Sequence, residues 1–333
     1  MKAIVMTTPG NPAVLQLAEV PTPTLKRDTD LLVQIHAAGL NPIDTKLRQR
    51  GTFYPQAGPA ILGCDGAGAI AAVGPGVQRF RPGDAVYFCQ GGLGQQPGNY
   101  AEWAVVDERF VAPKPQRLSF AEAAACPLVL ITAWEALYDR ARLQPGQTVL
   151  VHAGAGGVGH VAIQLARLQG ARVATTVSSA EKAEFVRRLG AELVINYRQT
   201  DVVEAVLAWT EGRGVDITFD TVGGPTLGQS FAATQIYGDV VTLLAPDPAT
   251  DWKPARDRNQ RVSFELMLTP MLQAIESEQI AQAKILSQCA RLIDNGELVI
   301  HLAQTFPLAE AAAAHQRLES GGFLGKLALV MAD

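Results

Sequence analysis

Residues 148–170, TVLVHAGAGGVGHVAIQLARLQG, decide the fold of this chain. The stretch begins with an apolar, β-branched run typical of a buried strand and ends with apolar residues repeated at helical spacing. Between them, Gly154, Gly156 and Gly159 form a G-x-G-x-x-G pattern. Because this pattern lies between a strand and an amphipathic helix, it indicates a dinucleotide-binding turn rather than a loop that only reverses the chain.

The three glycines of this turn have separate predicted roles. Gly154 lets the chain turn sharply off the strand, and Gly159 lets the helix lie close to the strand. Gly156 has no Cβ, so a pyrophosphate can approach its backbone. The amides at the start of the helix have no partner within it and lie at the positive end of its dipole. We therefore expect a phosphate group at this turn.

The length and composition indicate a globular protein with two domains. Its 333 residues are enough for two domains, and an apolar content of 48% supplies a sizeable core. The net charge of −4 disfavours nucleic acid and anionic membrane surfaces as main partners. No apolar run reaches the ~18 residues of a membrane span. The first ten residues lack the apolar core of a signal peptide.

The cysteines predict a reducing compartment. They form neither a C-x-x-C pair nor the spacing of a disulfide framework. We therefore expect the protein to reside in the cytoplasm. The positions are Cys64, Cys89, Cys126 and Cys289.

Two kinds of local pattern divide the chain. Residues 1–124 contain short strand-like runs broken by prolines and glycines, which predict an irregular β-barrel. From the glycine turn onward, strand and helix patterns alternate, which predicts parallel strands with right-handed crossovers. We therefore expect a doubly wound parallel sheet over residues 125–268. Residues 269–333 return to the first kind of pattern and are expected to rejoin the barrel.

Several element boundaries follow from turn and capping signals. Ser119-Phe-Ala-Glu122 is a capping box that predicts the start of a helix. Pro127 is expected to break that helix, and a second helix is predicted over residues 132–143. Further strands are predicted over residues 262–268, as a sixth strand of the parallel sheet, and over residues 298–302.

The strand after the glycine turn bears on which nicotinamide cofactor is bound. A site that prefers NAD usually carries Asp or Glu at the end of this strand, but here it ends in Ser178-Ser179. Without a carboxylate, a 2′-phosphate meets no repulsion, and the hydroxyls and Lys182 can stabilise it. Ser178 also begins a capping box with Glu181, and Lys182 also fits a solvated surface charge. The combination favours NADPH.

Seven motifs are spread along the whole length of the chain. They are Ala38-Gly-Leu-Asn-Pro-Ile-Asp44, Leu62-Gly-Cys-Asp-Gly-Ala-Gly68, Arg81-Pro-Gly-Asp-Ala-Val86, Leu130-Ile-Thr-Ala-Trp-Glu-Ala-Leu137, His152-Ala-Gly-Ala-Gly-Gly-Val-Gly159, Ile195-Asn-Tyr-Arg198 and Gly325-Lys326. This set resembles the zinc-independent, zeta-crystallin-like quinone oxidoreductase branch of the medium-chain dehydrogenase/reductase superfamily. The resemblance implies a GroES-like catalytic domain over residues 1–124 and 269–333, a Rossmann domain over residues 125–268 and an active site in a cleft between them. It also implies a homodimer joined along the Rossmann sheet edge at residues 262–268.

The resemblance also implies contacts with NADPH. The expected cofactor-binding turn comprises Gly154, Gly156, Gly157, Val158 and Gly159, of which Gly156 to Gly159 are expected to hold the pyrophosphate. The 2′-phosphate and the adenine ribose are expected to contact Ser178, Lys182 and Tyr197. The remaining expected contacts are Asn41 and Thr132 facing the nicotinamide, and Val222 and Leu244 bordering the cofactor. Ordinary structural roles stay open for Tyr197 at a strand end, Thr132 as a helix cap and Asn41 in a turn before Pro42.

A catalytic zinc ion is not expected. Zinc alcohol dehydrogenases of this fold place Cys and His ligands where this chain has Asn41 and Cys64, and Glu where it has Asp65. Cys126 lies too early to supply the third ligand, and one thiol beside one carboxylate does not make a three-ligand site. Cys64 also fits a small buried residue. Reduction of a conjugated acceptor by NADPH is therefore favoured over alcohol oxidation.

The catalytic candidates are Asn41, Lys46 and Cys64. Lys46 stands where the family often has Tyr, and it fits either a cation that stabilises a developing anion or a solvated surface lysine. The favoured function is an NADPH-dependent, zinc-free reductase of quinones. Two alternatives stay open: a double-bond reductase of enones or alkenals, and an NADPH-binding sensor or structural protein with little turnover.

Overall fold

The computed structural model describes residues 1–332. These residues form two compact units. Unit 1 comprises Met1–Leu128 and the residues from Leu268 onward, whereas unit 2 comprises Val129–Met267. No helix in the described part of the chain is long and apolar enough to cross a membrane.

The elements are named here in chain order. The strands are β1 (Lys2–Met6), β2 (Leu15–Glu19), β3 (Asp30–Gly39), β4 (Asp65–Val73), β5 (Ala85–Cys89), β6 (Trp103–Asp107), β7 (Ala112–Pro113), β8 (Thr148–Val151), β9 (Arg172–Val177), β10 (Leu193–Asn196), β11 (Val215–Asp220), β12 (Thr234–Thr242), β13 (Arg261–Phe264), β14 (Leu302–Pro307) and β15 (Lys326–Val330). The helices are α1 (Pro42–Arg50), α2 (Phe120–Ala124), α3 (Pro127–Trp134), α4 (Gly157–Leu168), α5 (Ala180–Arg188), α6 (Val202–Trp209), α7 (Pro225–Ala233), α8 (Lys253–Asp257), α9 (Thr269–Leu272), α10 (Glu276–Asp294) and α11 (Ala311–Ser320).

Unit 2 is built on a parallel sheet of six strands in the order β10-β9-β8-β11-β12-β13. In chain order within the sheet this is 3-2-1-4-5-6, the order of a doubly wound dinucleotide-binding fold. The strand order reverses between β8 and β11, so a crevice is expected beyond the carboxyl ends of these strands. Val149, Leu150 and Val151 of β8 are fully buried, as expected for a parallel strand covered on both faces.

Unit 1 contains a sheet of seven strands around the long strand β3. One edge of β3 pairs with β4, while β15 and β6 pair with different parts of the other edge. Its core contains Leu31, Val33, Ile35 and Phe88. The predicted barrel strands are thus present, and within residues 1–332 the path from β14 to β7 ends without pairing between those two strands.

Some predicted boundaries were wrong. Helix α2 ends at Ala124, before Pro127, as predicted, but α3 begins at Pro127 rather than at residue 132, because proline at the first helical position needs no hydrogen bond. The helix then continues as a π-helical segment, Glu135–Arg140, so Thr132 lies inside α3 rather than at a cap. The strand expected over residues 298–302 begins only at Leu302, and the sixth parallel strand is limited to Arg261–Phe264.

Candidate functional site

The glycine turn joins β8 to α4 as predicted, but the reason for Gly154 differs from the expectation. Gly154 does not adopt a left-handed conformation; Ala153 does, with φ of 52°. A Cβ on Gly154 would lie 2.0 Å from the Thr175 Oγ1 atom of β9. A Cβ on Gly159 would lie 2.4 Å from the carbonyl oxygen of Ala153. Both glycines are therefore required because the turn packs closely against itself and against the next strand.

The start of α4 forms an anion cradle. Gly156 is the N-cap, and a Cβ there would approach only the Ala153 oxygen, at 3.2 Å. The amide of His160 donates to the Gly156 carbonyl at 3.1 Å and begins the helical hydrogen bonds. The amides of the preceding helical residues, Gly157 to Gly159, have no carbonyl within the helix to bond. These amides and the helix dipole suit a pyrophosphate, so the residues present fit a dinucleotide cofactor.

An open cavity of about 330 Å³ lies in unit 2 beyond the carboxyl ends of β8 to β11. Its position is the crevice expected from the reversal of strand order. Tyr197 and Val222 both line it, and their side chains are 51% and 45% exposed. An aromatic and an aliphatic side chain at the mouth suit a flat ring such as adenine. The lining residues include His152, Ala153, Thr176, Tyr197, Val222 and Thr226.

His152 is a lining residue whose role the sequence motifs did not indicate. Its Nε2 atom lies 3.2 Å from the Ser230 hydroxyl, and its side chain is buried. Burial lowers the pKa of His152 to about 4, although the nearby Asp220 acts in the opposite direction. The imidazole is therefore neutral at pH 7, and it borders the cavity as a hydrogen-bonding group without charge.

The residues predicted to contact a 2′-phosphate follow β9. The N-cap of α5 is Ser179, whose hydroxyl accepts a hydrogen bond from the Lys182 amide at 3.3 Å. The capping box expected on Ser178 is therefore wrong by one residue. Ser178 and Lys182 are both half-buried, at the end of β9 and in the first turn of α5. No acidic residue lies between β9 and α5, as the sequence already shows.

The loop after β11 is fixed by Asp220. One carboxylate oxygen of Asp220 accepts hydrogen bonds from the amides of Val222 and Gly223, both at 2.9 Å. A Cβ on Gly223 would lie 2.8 Å from the Leu244 side chain, so this glycine lets the loop pack on Leu244. The loop that contains Val222 therefore packs against Leu244, the other residue predicted to border the cofactor. Thr132 is buried within α3.

Unit 1 contains a buried polar network centred on Asn41, the residue before α1. The Asn41 Nδ2 atom donates to the Asp65 carboxylate at 2.8 Å. The Lys326 ammonium donates to the Asn41 Oδ1 atom and, at 2.8 Å, to the Leu40 carbonyl. The side chains of Asn41 and Asp65 are fully buried, and Lys326 is only 3% exposed. The sheet creates this arrangement because β3 pairs with both β4 and β15, which begin at Asp65 and Lys326.

A second branch of the network starts at Asp44 in the first turn of α1. The Asp44 carboxylate accepts from the Asn41 backbone amide at 2.8 Å and from the Tyr100 hydroxyl at 3.1 Å. The Tyr100 hydroxyl also lies 3.2 Å from Nε2 of His315. All of these side chains are buried. The branch thus connects the start of α1 to α11 through a tyrosine.

Burial shifts the pKa values of this network towards the neutral forms. It raises the pKa of Asp44 to about 7, although the Asn41 amide opposes the shift. It raises the pKa of Asp65 to about 6, with Lys326 opposing. Burial also lowers the pKa of Lys326, while Asp65 and Asp44 favour its charged form. Lys326 and the two carboxylates favour one another's charged forms, whereas the charge of Asp65 raises the pKa of Asp44 further.

Lys46 and Cys64, the other catalytic candidates, are placed differently. Lys46 is exposed on α1, whereas Cys64 is fully buried. The Cys64 thiol shares a hydrogen bond with Cys89, which lowers its pKa, but burial and the two nearby carboxylates raise the pKa of Cys64 overall. Cys64 therefore stays a thiol at neutral pH. Cys64 lies close enough to Asp44 and Asp65 of the network for their charges to raise its pKa, whereas the Lys46 side chain is exposed.

Sequence reasoning missed Lys326, Tyr100 and His315 as members of the network. The available signal was a charged residue at the start of an apolar run, Lys326-Leu-Ala-Leu-Val, which is unusual for a buried strand. Tyr100 and His315 carried no such signal, because their partners lie far away in sequence.

Comparison with known proteins decides the family. A family model of the alcohol dehydrogenase GroES-like domain matches residues 27–116, and one of zinc-binding dehydrogenases matches residues 189–329. Quinone oxidoreductase 1 of Escherichia coli (strain K12) is 33% identical over 323 residues, covering 96% of this chain and 97% of that protein. The chain belongs to the quinone oxidoreductase family.

Solved structures place the chain in the medium-chain dehydrogenase/reductase superfamily. An alcohol dehydrogenase superfamily protein from Novosphingobium aromaticivorans has a TM-score of 0.91 and 37% identity, with all of both chains covered. The Escherichia coli quinone oxidoreductase complexed with NADPH has a TM-score of 0.86 and 30% identity, covering 99% of this chain and 100% of that one. The predicted GroES-like and Rossmann fold classes are confirmed.

One matching family model describes zinc-binding dehydrogenases, so the donor side chains of this protein can be tested for their fit to zinc. Both polar ends of the Asn41 amide are engaged by Asp65 and Lys326, so this side chain offers no free ligand. Over residues 1–332, no group of three or more His, Cys, Asp or Glu side chains could hold a metal ion. The ammonium of Lys326 supplies a positive charge beside these groups, and a zinc ion next to it would be repelled. These residues do not fit a zinc site.

Proposed function

We propose that the protein reduces quinones with NADPH and does so without zinc. The observation that carries the proposal is the anion cradle at Gly156 to Gly159, beside an open cavity at the carboxyl ends of the parallel strands. The Escherichia coli relative that is complexed with NADPH and named a quinone oxidoreductase supports the same assignment. When bound, NADPH would supply the reducing equivalents.

The proposed roles of the chain's own residues follow from their places. The amides of Gly156 to Gly159 bind the pyrophosphate, and Tyr197 and Val222 cover the adenosine. Ser178 and Lys182 bind the 2′-phosphate, which no carboxylate repels. Further along the cofactor, Asn41 and Thr132 are proposed to face the nicotinamide, and Leu244 to border the cofactor. Lys46 and Cys64 have no assigned step, because one is exposed and the other is a buried thiol.

The acceptor is tested by single-turnover oxidation of bound NADPH. Stopped-flow fluorescence would follow the reaction with soluble quinones, cyclic enones and alkenals in parallel. We expect fast oxidation by quinones and slow or no oxidation by the others. Faster oxidation by enones would make the protein a double-bond reductase. Oxidation by no acceptor would support an NADPH-binding sensor instead.

The preference for NADPH is tested at Lys182. Lys182→Ala should weaken binding of NADPH about 10-fold and leave binding of NADH unchanged, because only NADPH carries the 2′-phosphate. Arg187→Ala is the matched control, since Arg187 lies in the last turn of the same helix and is exposed. Titration calorimetry gives both dissociation constants. Equal losses for the two cofactors would reject the assignment.

Independence from zinc is tested by metal analysis of the active protein. We expect less than one zinc ion per ten chains and no change in quinone reduction after dialysis against a chelator. Activity that is lost with the chelator and restored by zinc would overturn this part of the proposal.

A homodimer through the edge strand β13 is part of the proposal. β13 ends the parallel sheet, and the large apolar side chains of Phe264, Leu266, Ile236 and Tyr237 are exposed near it. An exposed strand edge with apolar side chains suits pairing with the same edge of a second copy. Sedimentation of the wild type and of Phe264→Lys should give dimer and monomer respectively. A monomeric wild type would contradict the dimer.

A reducing cytoplasmic location is also proposed, because all four cysteines are buried free thiols. Fractionation of the source cells, with marker enzymes for each compartment, tests it. Recovery of the protein in an extracytoplasmic fraction would contradict the assignment.

A further inference from the structure

The glycine turn of unit 2 contains a backbone conformation that its sequence does not favour. Ala153 has a φ of 52°, in the left-handed region that glycine adopts freely and alanine adopts only at a cost in free energy. A strained residue persists only where its surroundings hold it in place, and such residues cluster at binding sites. Ala153 lines the cavity beside the anion cradle. We therefore looked for the contact that holds it.

Thr176, near the end of β9, supplies that contact. Its hydroxyl accepts a hydrogen bond from the Ala153 amide at 2.9 Å, and its main-chain carbonyl accepts from the Gly154 amide at 3.1 Å. Thr176 is only 3% exposed, so water does not compete for its hydroxyl. One residue of the neighbouring strand thus binds two successive amides of the turn.

The conformation of Ala153 sets the position of the cradle. Its carbonyl oxygen accepts from the Gly156 amide at 2.9 Å, and a Cβ on Gly159 would lie 2.4 Å from the same oxygen. Because φ of Ala153 directs the chain that follows it, a change in φ would move this oxygen away from both glycines. The free amides at the start of α4 would then no longer face one anion together.

His152 fixes the direction of the Thr176 hydroxyl. Since that hydroxyl accepts from Ala153, its own proton is left to donate, and the Nδ1 atom of His152 lies 3.5 Å away. On the other side of the ring, the Ser230 hydroxyl donates to the Thr226 carbonyl at 2.8 Å and accepts from His152 Nε2 at 3.2 Å. Both neighbours select the tautomer with its proton on Nε2. The hydrogen bonds therefore run in one direction, from the glycine turn to α7.

We propose that Thr176 and His152 are positioning residues for the cofactor, which hold Ala153 in its strained conformation and keep the anion cradle formed before the pyrophosphate binds. This inference rests on the proposed function, in which the pyrophosphate lies at Gly156 to Gly159. Thr176 acts through Ala153, and His152 acts through Thr176.

Thr176→Val tests the first contact, because valine is close in shape to threonine and lacks the hydroxyl. Calorimetric titration of the full chain with NADP⁺ should show binding about 10-fold weaker than in the wild type, the usual effect of losing one buried hydrogen bond. Adding Ala153→Gly should restore most of this affinity, because glycine adopts a positive φ without help from the hydroxyl. An unchanged affinity in Thr176→Val, or a loss that Ala153→Gly leaves mostly in place, would overturn the proposal.

Thr218→Val is the matched control for a merely structural effect. Thr218 is a fully buried threonine in β11 of the same unit, and its hydroxyl lies 2.6 Å from that of Thr234. The substitution should lower the melting temperature and leave the affinity for NADP⁺ unchanged. A loss of affinity equal to that in Thr176→Val would show that general destabilisation explains both, and would overturn the proposal.

The part played by His152 is tested by a double-mutant cycle. His152→Phe keeps a flat ring and removes the acceptor of the Thr176 hydroxyl, so we expect binding of NADP⁺ to weaken about 3-fold. In the Thr176→Val background it should cause no further loss, because the hydroxyl that His152 orients is absent. An equal loss in both backgrounds would show that His152 acts directly on the cofactor, and would overturn its positioning role.

A second measurement uses the unaltered protein, in case Thr176→Val does not fold. In protein labelled with ¹⁵N-alanine, comparison with Ala153→Gly assigns the Ala153 amide signal. Without cofactor, this amide should exchange with deuterium at least ~100-fold more slowly than an unstructured amide, because Thr176 already binds it. Free exchange in the cofactor-free protein, whether or not NADP⁺ then slows it, would overturn the proposal.

The same measurements separate this inference from the proposed function. A wild type that binds neither NADP⁺ nor NADPH would end the proposed function. A wild type that binds NADP⁺, with the expected order of variants, but oxidises NADPH with no quinone would end quinone reduction and keep the roles of Thr176 and His152. A wild type that reduces quinones, with full affinity retained in Thr176→Val, would end those two roles alone.

Discussion

The glycine turn of unit 2 and the Asn41 network of unit 1 handle charge by opposite means. The turn has unpaired backbone amides and glycines without side chains, so an anion can come close to the start of α4. The network consists of charged side chains buried away from water, in which Asp65 and Lys326 both bind the Asn41 side-chain amide. The turn is formed within a dozen residues, whereas Asn41 and Lys326 are 285 positions apart.

This difference predicts different kinds of damage. A change in the turn should act by steric overlap, because its atoms are already in contact. A change in the network should act by leaving a charge buried without its partner. Substitutions in the two regions can therefore test the comparison, and the predictions below run from the largest expected effect to the smallest.

Asp65→Asn should give the largest effect. It leaves the Lys326 ammonium without its nearest carboxylate partner in a buried site, so we expect a loss of ~3–5 kcal/mol in the free energy of unfolding. Chemical denaturation of the variant measures it. Asp257→Asn is the control, because the ion pair of Asp257 with Lys253 lies at the surface and should contribute little. Similar losses in both variants would contradict the role of burial.

Gly159→Ala should follow. Its Cβ would lie 2.4 Å from the Ala153 oxygen and 2.7 Å from the Gly154 Cα atom, both of which belong to the backbone. We expect ~1–3 kcal/mol of strain and a matching loss of affinity for NADPH, measured by calorimetry. Gly228→Ala is the matched control in α7, because nothing lies within 4 Å of its Cβ position. That variant should be as stable as the wild type or more stable.

The pH dependence of stability should separate the two regions next. The folded-state pKa of Asp44 is about 7, above its ordinary value of 3.8, so the folded protein binds this proton more tightly than the unfolded chain. The resulting stability is fully present below about pH 4 and is lost as the pH rises through 7. Relative to Asp44→Asn, the wild type should therefore lose a few kcal/mol between pH 4 and pH 8, since one pKa unit is worth ~1.4 kcal/mol.

His152 in unit 2 should respond in the opposite direction. Its folded-state pKa of about 4 lies below the ordinary 6.5, so the unfolded chain binds this proton more tightly. Its contribution is present above pH 6.5 and is lost as the pH falls through 4. Denaturation curves of the wild type and of both Asp44→Asn and His152→Gln, recorded from pH 4 to pH 8, would show the two signs. Equal signs would contradict the assigned pKa shifts.

The smallest effect should come from neighbouring serines after β9. Ser179→Ala removes the N-cap of α5 and should cost ~1 kcal/mol of stability. Ser178→Ala should leave stability unchanged and weaken binding of NADPH instead. Thermal denaturation and NADPH titration of both variants give the two readouts. A larger stability loss at Ser178 would restore it as the cap.

The same comparison explains how much the sequence could predict. The strand–helix alternation and the phosphate-binding turn between β8 and α4 depend on residues close together in sequence. Periodicity and motif spacing were therefore sufficient to predict them. The N-cap of α5 was predicted at Ser178 but lies at Ser179, because either serine fits the pattern of an N-cap before a helix. The site assignments at Ser178, Lys182 and Tyr197 stay predictions that the titrations test.

The network could not be predicted in this way. Asn41 and Cys64 came from a family resemblance, which gave their positions but not their partners. Lys326 joins Asn41 only because β15 pairs with β3, and no local pattern encodes the pairing of strands so far apart. The proline at the start of α3 shows the same limit at short range, since a proline is compatible with both the end and the beginning of a helix.

The discontinuity of unit 1 has a consequence for synthesis of the chain. Unit 2 is one continuous segment, Val129–Met267, and all of its strands leave the ribosome before β15. Until Lys326 emerges, Asp44 and Asp65 have no ammonium to share their burial. The first sheet must therefore stay incomplete while unit 2 is synthesised, and β3 keeps part of one edge open for a strand made almost three hundred residues later.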